Sequence, residues 1–382
     1  MKIEIKKSAK DKLDKFFVWI YKNEIVSLNG IEKVEVADVF YKGKFIAKAF
    51  VNPLSEITGR ILSFENEKID RDFFKKRVKR AISKREFQNT DSYRIIHSEA
   101  DFLPGLIVDR YGDNLVCSFT SAGMELFKDE IVSVLVELLN PKGIYERADK
   151  IRLKEGLSLK SGELYGKIDE EFIIKENGKK FFTNLKESQK TGFFLDQREN
   201  RERVGKLKVK KCLDLFANAG GFGIYSQADF VRFVEISEFA CKQIKKNCLL
   251  NSLVNFDIKK SDVFKFLEKN DDTTYDLIVV DPPAFAKSKK EKRGALKGWK
   301  YLIVNSLRLL EEGGYLALFS CSAAIGIKDI LDLALSSAAI ERCALEVVEF
   351  LKQDKDHPYM LNIPNSLYLT GVILKKEPLT FR

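Results

Sequence analysis

Through the first seventy positions apolar and polar residues alternate in short runs: EKVEVADVF (32–40), GKFIAKAFV (43–51) and RILSF (60–64). A period of two is that of half-buried strands, and the runs are broken by Gly43 and Asn52-Pro53. Residues 1–72 are therefore expected to form a small β-rich module. The stretch RDFFKKRVKRAISKR (71–85) reads as a connecting helix. Residues 91–180 hold further strand-like runs around one helical pattern, ELFKDEIVSVLVELLN (125–140), and PGLIVDRYGDNLVCSFT (104–120) reads as a hairpin turning at Tyr111-Gly112-Asp113. An α+β middle domain over 73–185, opened by that helix, is expected.

From residue 186 the pattern changes. Seven apolar runs, KCLDLF (211–216), DFVRFVE (229–235), FDIKKS (256–261), YDLIVV (275–280), YLALFS (315–320), LEVVEFL (345–351) and LYLTGVIL (367–374), alternate for the most part with helical stretches such as EFACKQIKKNCLLN (238–251). Such alternation predicts βαβ units and a mostly parallel sheet, an α/β domain over 186–382.

A chain of 382 residues exceeds what one core serves, consistent with two or three domains. The opening residues lack the apolar core and cleavage site of a signal peptide, and no apolar run is long enough to span a bilayer, so a cytoplasmic protein is expected. The six cysteines include no CxxC pair and there are two histidines, so no metal site is expected. The formal charge is +10, and residues 1–90 hold 21 Lys+Arg against 13 Asp+Glu, a local excess of 8. The helix 71–85 is its densest part, either a solvated face or a phosphate-binding one.

In an open parallel sheet ligands sit beyond the carboxyl ends of the strands. Here those ends carry, in order, the glycine loop ANAGGFG (217–223), Glu235, Asp262, Asp281-Pro282-Pro283 and Ser320-Cys321-Ser322. Gly220 and Gly221 allow close backbone approach to a ligand. The loop lacks the third glycine of the dinucleotide fingerprint and the Gly-Lys-Ser/Thr of a P-loop. Glu235 is placed to accept the hydroxyls of an adenosine ribose. Taken alone, Cys321 reads as a small core residue. In this array it reads as a nucleophile.

These motifs resemble class I S-adenosylmethionine-dependent methyltransferases. QKTGFFLDQRENR (189–201), with FSCS (319–322) and NPLSEITGRILSF (52–64), is similar to the RNA cytosine-C5 methyltransferases with an N-terminal PUA domain that act on large-subunit (23S) ribosomal RNA. The resemblance implies a PUA-like RNA-binding domain, a central α+β domain and a Rossmann-like methyltransferase domain. It implies S-adenosyl-L-methionine bound by Lys190, Thr191, Phe194, Asp196, Arg198, Asp214, Phe216, Ala219, Gly220, Gly221, Glu235, Asp262, Asp281 and Pro282. Asp196 and Arg198 would face the methionine end, and Asp262 the adenine amine. Pro283 and Phe285 would border the target base, and Cys321 with Asp281 would be catalytic. Ribosomal RNA is the expected partner, with transfer RNA an alternative and no membrane. A monomer and a homodimer both remain open.

Methylation at C5 needs a thiolate to add at C6, because C5 is otherwise barely nucleophilic. Two departures bear on this. Asn218 stands where relatives often carry an aromatic, which bears on loop packing. Ala284 stands where many cytosine-C5 enzymes have a second cysteine, so the group that removes the C5 proton is not identified. DPPAF also resembles enzymes that methylate purine nitrogens, where an aromatic stacks on the base and no cysteine is required. That alternative, and a non-catalytic RNA-binding protein on a degenerate fold, are the competing readings. Two other candidate RNA contacts are the aromatics Phe16, Phe17 and Trp19, which in a small β module more often form core, and AKSKKEKRGALKGWKY (286–301), which as readily forms a charged loop.

Overall fold

A computed structural model describes residues 1–185, 187, 192–269, 273–286, 291–322 and 324–379. The chain divides into two compact units: residues 1–170 with 355–366, and residues 171–354 with 367–382.

The first unit contains two sheets. In the six-stranded sheet the strands run in the order Trp19–Ile20, Gly59–Ser63, Lys44–Val51, Glu35–Tyr41, Lys2–Ile5 and Ile25–Ser27. The alternation seen in sequence places Ile3, Ile5, Val39, Ala47 and Ala49 in one core. The exposed Phe16 packs edge-on against Phe64, while Trp19 is half-buried and its indole N–H donates to Glu99 at 2.9 Å.

The five-stranded sheet contains the hairpin Leu106–Tyr111 and Asn114–Phe119, turning at Gly112 in the left-handed region (φ +60°). Against it lies the basic helix, Arg71–Ser83. Asp70 caps its start by accepting the Asp72 and Phe73 N–H groups, and Phe73, Phe74, Val78 and Ala81 form its buried face. A second core gathers these with Phe119, Ile131 and Val134.

The boundaries expected at 72 and 185 are met differently. Both N-terminal segments belong to one unit. The hairpin Glu171–Glu176 and Lys179–Asn184 groups instead with the C-terminal unit. It turns through Asn177-Gly178, both at positive φ, and is stitched down by polar side chains: Phe182 N–H donates to Asn247 Oδ1 at 2.7 Å and Lys180 N–H to Asn251 Oδ1 at 3.0 Å. Residues 355–366 leave the C-terminal run and join the first unit. There Asp356 Oδ2 accepts the Arg94 N–H at 2.8 Å, and the His357 ring lies edge-on to that of His97. Non-local side chains of this kind leave no periodic signal in sequence.

The second unit is built on a seven-stranded sheet: β1 (Lys211–Leu215), β2 (Phe230–Glu235), β3 (Phe256–Lys260), β4 (Tyr275–Val280), β5 (Leu310–Ser320), β6 (Ala344–Lys352) and β7 (Thr370–Glu377). Its order is β3-β2-β1-β4-β5-β7-β6; the first five strands are parallel and β7 is antiparallel to both neighbours. Central strands read as continuous apolar runs because helices cover both faces, as with Leu277–Val280 and Leu316–Phe319, all fully buried. The strand order reverses between β1 and β4, which opens a crevice at their carboxyl ends. No described helix is long and apolar enough to cross a membrane.

Candidate active site

The crevice is a cleft of about 180 Å³ at the ends of β1, β2, β4 and β5. It brings together Phe194, Asp196, Phe216, Ala219, Gly221, Glu235, Asp281, Pro282, Pro283 and Cys321 from the expected set.

The glycine loop opens the cleft. Phe216, Asn218 and Gly220 all have positive φ (+60°, +49° and +77°), so the chain coils tightly before the Gly221–Ser226 helix. Asparagine is among the residues that most readily take up that conformation, which suits position 218. The glycines serve internal packing as much as ligand approach. A Cβ on Gly221 would lie 2.7 Å from Arg201 Cδ, and one on Gly223 2.3 Å from the Phe233 ring. Arg201 is itself buried, forked onto Glu176 at 2.8 and 2.7 Å, and donates to the Phe194 carbonyl at 3.0 Å.

Glu235, at the end of β2, orients its carboxylate with three backbone donors. Oε2 accepts from Asn218 and Oε1 from Ile236 and Ser237, each at 2.9 Å. A carboxylate has about four acceptor positions, so this set fixes the group and leaves capacity for a ligand hydroxyl. Asp214 lies fully buried beneath the loop, outside the cleft lining, and accepts the Gly223 N–H at 2.9 Å. Burial, with smaller contributions from the Asp281 and Glu235 charges, pushes its carboxyl up to about 8, against the Gly223 hydrogen bond and the Arg201 charge.

Asp281 accepts from Gln197 Nε2 at 3.1 Å, and Gln197 Oε1 in turn accepts from Asn200 at 2.6 Å. Cys321 is half-buried, its Sγ 4.0 Å from the Pro282 carbonyl oxygen. The serines on either side of it are fasteners. Ser322 Oγ donates to the Ala286 carbonyl at 2.7 Å, tying the end of β5 to the DPPAF turn. Ser320 Oγ donates to the Ile325 carbonyl at 3.1 Å. The other five cysteines have their thiol pKa values raised, in each case mainly by burial, that of Cys248 to about 12. None of them lines the cleft.

Other expected residues lie elsewhere. Arg198 is buried and paired with Asp354 at 2.8 Å, outside the cleft lining. Asp262 caps the Val263–Glu268 helix by accepting the Lys265 N–H at 3.2 Å. Phe285 sits in an aromatic cluster with Phe216, Phe264 and Trp299, with ring centroids 6.1–6.3 Å apart. Gly220 supplies the turn rather than a wall. Lys190 and Thr191 lie outside the described residues, as do residues 287–290 of the basic tract. The lining residues that sequence reasoning missed are Phe193, Gln197, Arg201, Ala217, Asn218, Phe222, Ile236 and Leu369. Gln197 was readable from its place in LDQR. Leu369 arrives from the far end of the chain with no local signal.

Phe222 and Ile236 line the cleft together with the carboxylates of Glu235, Asp196 and Asp281, an apolar surface beside hydrogen-bond acceptors. Two family models match the chain: a PUA-like domain over residues 3–64 and an S-adenosylmethionine-dependent methyltransferase over 157–365. Ribosomal RNA large subunit methyltransferase I of Vibrio cholerae is 38% identical, covering 94% of both chains. The protein of the same name from Shewanella amazonensis is 34% identical, covering 98% of this chain and 99% of its own. A crystal structure solved with S-adenosylhomocysteine superposes with a TM-score of 0.86 at 22% identity, over 98% of this chain and 100% of that one. With a model matching more than half of it and relatives spanning nearly all of it, the chain belongs to the S-adenosylmethionine-dependent methyltransferases, in the PUA-like-domain family of ribosomal RNA large subunit methyltransferase I.

Proposed function

We propose that the protein methylates C5 of a cytosine in large-subunit ribosomal RNA, with Cys321 as the covalent nucleophile. The observation that carries this reading is the Cys321 thiol opening onto the cofactor cleft, on the same wall as Asp281 and Pro282. The names of the relatives supply the class of RNA.

Bound S-adenosylmethionine supplies an electrophilic methyl group on its sulfonium. The chain's own residues prepare the acceptor. The Cys321 thiolate forms an Sγ–C6 bond, and the electron pair displaced from the C5–C6 double bond makes C5 nucleophilic. That pair forms the new C5–CH3 bond; a base then takes the C5 proton, the C5–H pair re-forms the C5–C6 double bond, and the Sγ–C6 bond breaks with its pair returning to sulfur as the thiolate. Asp281, oriented by Gln197, accepts a hydrogen bond from the cytosine amino edge. Phe194, Asp196, Phe216, Ala219 and Glu235 hold the cofactor, and Pro283 borders the base, which must leave its stack to reach the thiol. Lys190, Thr191, Arg198, Asp214, Gly220 and Asp262 complete the proposed cofactor set, with Arg198 and Asp214 acting from behind the lining. The engagement of Phe285 with Trp299 and Phe264 disfavours purine-nitrogen methylation, which would use that ring to stack on the base.

Nucleoside mass spectrometry of ribosomal RNA treated with the wild type and with Cys321→Ala tests the reading. The wild type is expected to give 5-methylcytosine. The variant should lose turnover by roughly 10⁴-fold or more while binding S-adenosylmethionine as before. A variant that still methylates, or a methyl group found on nitrogen, refutes the covalent route.

A further inference from the structure

The first unit holds a second cavity, of about 430 Å³, between the end of the Gly59–Ser63 strand, the Arg71–Ser83 helix and Phe102. Its cationic wall is Lys76, Arg77 and Arg80, presented on adjacent turns of the helix. The Arg77 guanidinium lies 4.4 Å from the Phe73 ring centroid and 5.6 Å from that of Phe102, and Arg80 lies 5.7 Å from Phe102.

Phe102 is held in the left-handed region (φ +58°), which is costly for an aromatic residue. It is fixed there by its own N–H to Glu99 and by Arg77 Nη1, which donates to its carbonyl at 3.2 Å. Two guanidinium groups thereby lie over aromatic rings in the lining of the cavity.

The charges of this helix are unequally satisfied. Arg71 and Lys75 share Glu137, and Arg85 beyond the helix end is forked onto Asp101. Lys76 and Arg80 are exposed and take part in no ion pair among the described residues, and Arg77 approaches Glu67 only to 3.9 Å. Burial, chiefly, lowers the Arg77 pKa. Glu67 raises it, and the Arg80 charge makes a smaller contribution that lowers it. Lys76 and Arg80 thus leave two exposed cations at the cavity for an anionic group to meet.

The wall also carries Glu65, Glu67 and Asp101, the last already forked by Arg85, which argues against a bare phosphate. A nucleotide satisfies both signs: its phosphate meets the cations, its base amino group meets a carboxylate, and its face meets a guanidinium plane. We infer that this cavity binds an unpaired nucleotide of the RNA substrate, with its phosphate at Lys76 and Arg80 and its base edge toward Glu65. The inference rests on the RNA reading above and adds a site that the cleft does not contain.

The test uses the full chain and an in-vitro-transcribed large-subunit ribosomal RNA, with binding measured from 50 to 200 mM salt. For Lys76→Ala/Arg80→Ala the affinity is expected to fall about tenfold or more and the log–log salt slope to flatten by about 0.7 per lost phosphate contact. KM for RNA should rise by a similar factor, while kcat at saturating RNA and affinity for S-adenosylmethionine stay unchanged. A double variant that matches a methylating wild type in affinity and slope overturns the site and hands the cavity to an acidic protein segment. A wild type that binds RNA through the cavity but makes no 5-methylcytosine refutes the proposed reaction and leaves the site standing. Glu65→Gln separates nucleotide from phosphate: weaker binding supports the base contact, and tighter binding overturns it.

Discussion

Acids in the core of the first unit and acids beside the cleft of the second are held in different ways. In the first unit Asp101 is forked by Arg85 at 2.8 and 2.6 Å, and Asp109 by Arg94 at 2.7 and 2.9 Å. Burial would raise the Asp101 carboxyl, but the Arg85 hydrogen bonds and charge outweigh it and hold the group below its ordinary value. At the cleft, Asp214 and Glu235 are held instead by backbone N–H groups: Gly223 donates to Asp214, and Asn218, Ile236 and Ser237 donate to Glu235. The first arrangement fixes architecture. The second leaves the Glu235 carboxylate with acceptor capacity at the cleft and holds Asp214 beneath the loop in its protonated form at neutral pH.

The largest effect should come from breaking a fork. Asp101→Asn leaves the Arg85 guanidinium buried with its counter-charge gone, and a cost of about 3–5 kcal/mol is expected. Denaturant unfolding followed by Trp19 fluorescence in a Trp299→Phe background measures it, since Trp19 lies in the first unit and Trp299 in the second. A loss below about 1 kcal/mol would mean that the pair is a surface-like bridge and the comparison fails.

Asp214 should behave with the opposite sign. Its folded pKa of about 8 lies above the ordinary carboxylate value, so between pH 4 and pH 8 the folded state holds a proton that the unfolded chain has released. Stability therefore falls as pH rises through that window and levels off above it, at about 1.4 kcal/mol per pH unit, or about 2.7 kcal/mol from pH 5 to pH 7. Asp214→Asn keeps an acceptor for the Gly223 N–H and removes the titration. The difference in unfolding free energy between variant and wild type, read from Trp299 in a Trp19→Phe background, should grow in the variant's favour as pH rises. Parallel pH profiles would show that Asp214 is ionised and solvated in the fold.

The contrast also marks what was legible in the sequence. Strand ends were readable because parallel strands buried on both faces are unbroken apolar runs, so Glu235, Asp281 and Cys321 stand out as the first polar or reactive residues after them. Roles set by what lies behind a residue were not. Gly221 looked like room for a ligand, but its missing Cβ makes room for Arg201, twenty residues upstream. Arg198 looked like a carboxylate binder in the LDQR segment, yet its partner is Asp354. The serines flanking Cys321 carried no evident meaning until the Ala286 and Ile325 carbonyls were seen opposite them. Unit boundaries were hidden for the same reason, because Asn247 and Asn251 decide where the 171–184 hairpin belongs.

The smallest effect sharpens the comparison most. Glu235→Gln has nearly the original shape, but one of its two oxygens becomes an amide that cannot accept. Either the Asn218 N–H or the Ile236 and Ser237 pair then loses its partner, and the charge offered to the ribose hydroxyls is gone. A hydrogen bond to a charged group contributes about 1.5 kcal/mol or slightly more, so S-adenosylmethionine affinity measured by calorimetry should fall roughly tenfold. The first unit's unfolding, read from Trp19, should not move. Asp101→Asn should show the reverse, with lost stability and unchanged cofactor affinity at temperatures where it remains folded. If Glu235→Gln instead destabilises the fold and spares cofactor binding, the acids of the cleft are architectural like those of the first unit, and the division drawn between them is lost.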